Sequence, residues 1–160
     1  MLKASARHMN AGERRPLSAG EVALAQSVFG DEVDWGRVRI VQLNRFWGFA
    51  AMVPFGGAIL FSKWRAWRDF SRAPASEQGW LVHELAHVWQ AQRGVVLAAA
   101  KLSAIGRRSY KYRVRRGAKL KHYNIERQAE IARHLFMARQ GRPDERAPAR
   151  EWLEAVWAQR

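Results

Sequence analysis

His83, Glu84 and His87 are the residues of this chain whose types and spacing could do chemistry together, in the run His83-Glu84-Leu85-Ala86-His87. On an α-helix, residues four apart project from one face with about 5–6 Å between them, near enough for two imidazoles to share one divalent ion. Glu84 follows His83 by about 100° of helical rotation, which sets a carboxylate beside any coordination position left open. A zinc ion held there would lower the pKa of bound water to about 7 and polarise a carbonyl. Glu84 would take the water's proton and return it to a leaving amine. The chemistry implied is hydrolysis of a peptide bond.

Two histidines and a glutamate can also meet by chance on an amphipathic helix, so the metal reading demands a third protein ligand. Glu126 is the first choice: it lies in the stretch from Tyr123 to Glu130, which has the pattern of a second helix that could cross the first. Glu130, one turn further on, could accept a hydrogen bond from the outer nitrogen of a ligating imidazole and so orient it. His122 is the rival third ligand. No glycine and third histidine follow His87 in the metzincin pattern. A donor for the developing oxyanion could come from Tyr110, Tyr112, Tyr123 or His122, with Tyr112 favoured.

These side chains need elements to hold them. Ser76 is placed to cap a helix over 77–93, in which Trp80, Leu81, Leu85, Val88 and Trp89 recur at helical spacing and Gly94 terminates. A helix over about 124–140, stopped by Gly141 and Pro143, carries Glu126 and Glu130. Further helices are expected over 95–105 and after Pro148. Near the start, Ser18 and Glu21 form a capping box that opens a helix through Phe29, ended by Gly30. Residues 38–41 and 51–61, rich in β-branched and aromatic side chains around Pro54 and Gly56-Gly57, predict a small antiparallel sheet. Its last strand, 58–61, is either a backbone docking edge for a peptide or an interior strand. The fold class is α+β. Residues 1–16 are expected to be a loosely ordered arm, and 17–160 a single domain.

Composition sets the outer bounds. The chain has 160 residues, 48% of them hydrophobic and eight of them tryptophan, enough for a true core. It contains no cysteine, which excludes disulfides, thiolate metal sites and a cysteine nucleophile. No apolar run approaches the length of a membrane span. The first ten residues, broken by Lys3, Arg7, His8 and Asn10, hold no apolar secretory core, so synthesis in the cytoplasm without a Sec signal is expected.

Lysine and arginine number 28 against 14 acids, a net charge of +14, which implies anionic partners. The surplus concentrates over 107–121, where Arg107, Arg108, Lys111, Arg113, Arg115, Arg116, Lys119 and Lys121 meet no acid. Alternation of Tyr110, Tyr112 and Val114 with Lys111, Arg113 and Arg115 predicts a strand or hairpin arm with one cationic face. That face could be merely solvated, or could contact nucleic acid, an envelope polymer or an acidic protein. An SprT-like protease of DNA-bound proteins, or a non-catalytic zinc module contacting nucleic acid or an acidic protein, is the alternative function.

Taken together, the HELAHVWQ segment, the Tyr110-x-Tyr112 region and YNIERQAEI resemble the zincin-like metallopeptidases associated with Rhs and VgrG proteins of bacterial type VI secretion systems. RPLSAGEVALAQSVFG and MVPFGGAILF add to the resemblance, which covers residues 12–138. It implies a minimal zincin fold, with the sheet beside the HExxH helix and the Glu126 helix closing the site. It implies zinc on His83, His87 and Glu126, the gluzincin-like set, with Glu84 catalytic. It further implies an antibacterial effector that is carried by a VgrG or Rhs spike into a neighbour's periplasm and cuts protein or peptide there; the cationic segment would then suit an acidic immunity or carrier protein.

Overall fold

The computed structural model describes residues 7–46, 48–104 and 110–160, with the backbone alone at 103 and 104. Among these, four short strands form one sheet in the order β1-β2-β4-β3. β1 (Arg14–Pro16) runs antiparallel to β2 (Arg39–Gln42), and β3 (Ala51–Met52) antiparallel to β4 (Ala58–Phe61). β2 and β4, however, are parallel, with Ile40 opposite Ile59. The sheet is therefore mixed, not antiparallel as expected. The chain leaves β2, lays β3 at the outer edge, and returns to place β4 between them; side-chain alternation is the same for either strand direction. β4 is bonded on both sides at Leu60 and Phe61, so the outer edge belongs to β3 and the reading of β4 as a docking edge fails there.

The supposed loose arm is also corrected. Residues 1–6 lie outside the described part, but 7–16 belong to the fold. Met9 is buried, its N–H donates to the Ala66 carbonyl at 2.9 Å, and Arg14–Pro16 adds a strand to β2. Three paired residues are too few to leave a period in the sequence.

Helix α1 (Ala19–Phe29) starts at the expected capping box: Glu21 N–H donates to Ser18 Oγ at 3.2 Å, and Ser18 N–H to Glu21 Oε2 at 2.8 Å. Glu21 does more than cap. It is fully buried, takes both guanidinium nitrogens of Arg15 at 2.7 Å, and accepts from Phe70 N–H at 2.8 Å. One carboxylate thus ties β1, α1 and the short turn at Phe70–Arg72 together.

Helix α2 (Ala75–Gln92) is central. From Leu81 to Gln90 every residue is buried, so it is enclosed on nearly all sides. Phe61 of β4 meets Trp80 edge-on at 5.1 Å and Phe70 at 5.1 Å. Each aliphatic side chain fully buried here, such as Leu81, Val82, Leu85 or Val88, contributes about 1.5–3 kcal/mol. Ser76, expected as the N-cap, lies inside the first turn. Pro74 takes the cap position and its carbonyl accepts from Glu77 and Gln78, because a residue preceding proline, here Ala73, is held extended and fixes the boundary.

Helix α3 (Leu97–Ala104) follows, then α4 (Ile125–Arg139), capped by Asn124 Oδ1 accepting from Arg127 N–H at 2.9 Å. α4 runs antiparallel to α2. At one end of the crossing Gly79 makes room: a Cβ there would stand 3.0 Å from Met137 Sδ. Helix α5 (Arg150–Trp157) closes the core, with Trp157 donating to the Val28 carbonyl at 2.8 Å and packing on Phe29 and Trp89, each at 5.6 Å.

The basic segment is not a strand or hairpin. Arg107 and Arg108 lie outside the described residues, and 110–119 has no strand partner among them. The alternation survives for another reason: Tyr112 and Val114 pack against the core while Lys111, Arg113 and Arg115 face outward.

Replacing Glu21 with Ala leaves Arg15 without its partner and the Phe70 and Ser18 amides without an acceptor. The expected loss is about 3–5 kcal/mol, read as a lower urea midpoint at an unchanged slope.

Candidate metal centre

His83, His87 and Gln90 fall at i, i+4 and i+7 of α2 and form a polar stripe facing α4, where Glu126 and Glu130 stand one turn apart. His83 Nε2 and His87 Nε2 each lie 3.4 Å from Glu126 Oε2, and the two rings are 5.1 Å apart, nearly perpendicular. A tetrahedron with metal–ligand bonds of about 2.0–2.1 Å has edges of about 3.3–3.4 Å, so both measured edges fit one central ion. These three side chains form the cluster able to hold a metal ion among the described residues.

The outer nitrogens settle which ring nitrogens face inward. His83 Nδ1–H donates to Glu130 Oε2 at 3.0 Å. His87 Nδ1–H donates to Gln90 Oε1 at 2.9 Å, and the amide is held in that orientation because its Nε2 donates to the Ile125 carbonyl and Gln128 Oε1. Both Nε2 atoms therefore face Glu126, where an ion that displaced their protons would find them as ligands. Two imidazoles and a carboxylate suit zinc and similar divalent first-row cations.

Burial opposes the charged form of each carboxylate, but the hydrogen bonds they accept outweigh it: from His83 and His87 at Glu126, from His134 and His83 at Glu130. Both are held well below the usual carboxylate range. Burial likewise opposes a charged His83, yet hydrogen bonds to Glu126 and Glu130, with the charge of Glu84, hold its imidazolium up to about 9.

Glu84 is buried beside the cluster, close enough for its charge to act on His83 and on Tyr110, and no described side chain hydrogen-bonds its carboxylate. The structure brings Tyr110, not Tyr112, next to the centre, its ring 5.9 Å from that of His83. Burial, then the charges of Glu126, Glu84 and Glu130, raises the Tyr110 pKa, so its hydroxyl stays protonated as a donor. Tyr112 instead donates to His134 Nδ1 at 2.6 Å, and His134 Nε2–H donates to Glu130 Oε1 at 3.2 Å. Its place is behind Glu130. The rival ligand His122 is exposed and accepts from Lys119 N–H at 3.1 Å, away from the cluster.

Sequence reasoning missed Gln90, His134 and Lys101. Gln90 and His134 were signalled by spacing, three after His87 and four after Glu130. Lys101 of α3, with Nζ 3.8 Å from Glu126 Oε1, left no such signal.

Fold and site together define an α+β domain in which two crossing helices present a His-His-Glu set able to hold a metal ion. The chain belongs to the family of the VgrG2b effector domain. It matches the solved effector domain of Pseudomonas aeruginosa VgrG2b with a TM-score of 0.68 at 31% identity, covering 95% of this chain and 86% of that one. It is also 36% identical over 131 residues, 77% of this chain, to the type VI secretion system spike protein VgrG2b of Pseudomonas aeruginosa. The chain spans 13% of that protein's length. No protein-family model matches the sequence.

Gln90→Leu removes the acceptor that holds His87, and Glu130→Gln removes the anion behind His83. Each is expected to weaken zinc binding about 10- to 100-fold, measured by competition with a chromophoric chelator, with far-UV circular dichroism unchanged.

Proposed function

We propose that this domain is a zinc-dependent peptidase that acts as a type VI secretion effector. His83, His87 and Glu126 would hold the zinc. The observation that carries the reading is the pair of 3.4 Å edges from Glu126 to two inward-facing Nε2 atoms, with the unbonded carboxylate of Glu84 alongside. When bound, zinc supplies an acidified water and a polarised carbonyl.

The remaining steps belong to the chain itself. Glu84 accepts the proton of the attacking water and delivers it to the departing amine. It can do so because it is adjacent to His83 on α2 yet engaged by no described side chain. Tyr110 offers its protonated hydroxyl to the developing oxyanion, the role that sequence reasoning gave to Tyr112. Glu130 and Gln90 keep the imidazoles in one tautomer and orientation. The burial of His83, Glu84, His87 and Glu126 limits competing water.

Kinship supports a route of delivery. The relative is a spike protein of a type VI secretion system, and its effector domain shares this fold. We infer that this domain too is carried on a VgrG-type spike and works in the periplasm of a target cell, where an immunity protein would protect kin.

Glu84→Gln keeps the side chain's size and removes its basicity. Zinc content by elemental analysis should stay at the wild-type level, while cleavage of denatured protein falls about 10²- to 10⁴-fold. Periplasmic toxicity in a bacterial host should vanish with it. Equal cleavage by variant and wild type would remove Glu84 from the mechanism.

A further inference from the structure

A groove of about 1320 Å³ lies between the 110–118 segment, α4 and the turn at 144–146. It begins one side chain from the metal centre. Glu130 lines it while accepting from His83, and Tyr110 lines it while its ring lies 5.9 Å from that of His83. Tyr110 thus stands between the centre and the groove.

Its charge is one-sided. The two acids of the lining, Glu130 and Asp144, are both engaged by Arg133. Lys111, Arg113, Arg115, Arg116 and Arg146 are exposed and line the same concavity, and among the described residues their side-chain charges have no carboxylate partner. Cations gathered in a concave wall repel one another and focus a positive potential on the space between them. Guanidinium forks match carboxylates, and a protein substrate supplies carboxylates on its Asp and Glu side chains.

We propose that this groove is the specificity subsite, taking an acidic segment of the substrate on one flank of the bond that is cut. The proposal rests on the peptidase reading and names its substrate class. Single-stranded nucleic acid fits less well, since it needs open aromatic faces for stacking. Tyr112 is turned inward onto His134, and Tyr123 packs edge-on against it at 6.0 Å with its hydroxyl donating to the Arg113 carbonyl. Of the groove's tyrosines only Tyr110 is exposed, and it lies against His83; the exposed His122 is tied to Lys119 N–H.

The test uses the zinc-loaded Glu84→Gln chain, which does not consume its probe, and a fluorescent peptide of alternating Asp and Gly beside its Asn-Gly counterpart. At low salt the acidic peptide should bind about tenfold more tightly, the effect of one retained charge-assisted hydrogen bond. Arg115→Ala with Arg116→Ala should abolish that preference, whereas Arg14→Ala, an exposed arginine outside the groove, should leave it intact. Equal binding of the two peptides, or a preference that survives the double substitution, overturns the proposal. So does an equally charged DNA oligonucleotide that displaces the acidic peptide more effectively than unlabelled acidic peptide does. In parallel, wild type is offered a peptide library, and its cleavage sites should be enriched in Asp and Glu on one side. Acidic-peptide preference without any cleavage would refute the peptidase reading and leave the groove standing; cleavage with equal peptide binding would refute the groove alone.

Discussion

Two buried imidazoles facing a buried carboxylate across the α2–α4 crossing are the constraint around which this molecule is arranged. Any one of these groups taken from water alone would cost several kcal/mol, and together they are tolerable only when each meets its partner at bonding distance. The crossing is therefore fixed in register. Gly79 admits Met137 at one end, and Gln90 bonds the Ile125 carbonyl at the other, so His83 meets Glu130 and His87 meets Glu126 in between. The sheet, α1 and α5 enclose the apolar faces of α2 and leave it little freedom to rotate. Aromatic packing of Phe29, Trp89 and Trp157 serves the site at a distance, by holding the helix that carries it.

The two histidines are not equivalent. His87 is oriented by a neutral amide, whereas His83 is oriented by a carboxylate that pairs with Arg133 and also accepts from His134, with Asp144 beyond. An anionic partner would make an imidazole a stronger donor to a metal, so as ligands the pair would combine one of raised basicity with one set chiefly by geometry. Charge alternates outward from His83 through Glu130 and Arg133 to Asp144. That alternation links the interior of the site to the groove wall without leaving a buried charge unpaired.

Much of the site was legible because helical spacing is a strong constraint. His83, Glu84 and His87 declare a shared face, and Glu126 with Glu130 declare a second one, so the sequence already contained both halves of the cluster. The fold class and the capping box at Ser18 were legible for the same reason, being local. What could not be read depends on contacts between distant segments. Strand direction leaves no mark on alternation, and β2 and β4 proved parallel. Arg14–Pro16 gained its strand from β2, and its anchor from Glu21. Tyr110 and Tyr112 sit two apart and look interchangeable in sequence; only the placement of His134 decides that Tyr112 turns inward and Tyr110 remains at the centre. Lys101 reaches Glu126 from a helix whose position no local pattern predicts.

The cationic surplus has a structural explanation of the same kind. Acids are present where the fold or the site needs them: Glu21 beneath β1, Glu32 against Trp89 and Arg93, Glu154 against Arg139, Glu126 and Glu130 at the centre. The stretch from 107 to 121 contains none. A merely solvated basic face would be free to swing outward and dilute its charge. Here Tyr112 and Val114 bury against the core at alternate positions, which pins the intervening arginines along one wall of the groove beside α4. Hydrophobic anchoring thus opposes the self-repulsion of the cations, and a sequence that read as a strand works as a fixed, charged rim whose inner end is the residue nearest His83, Tyr110.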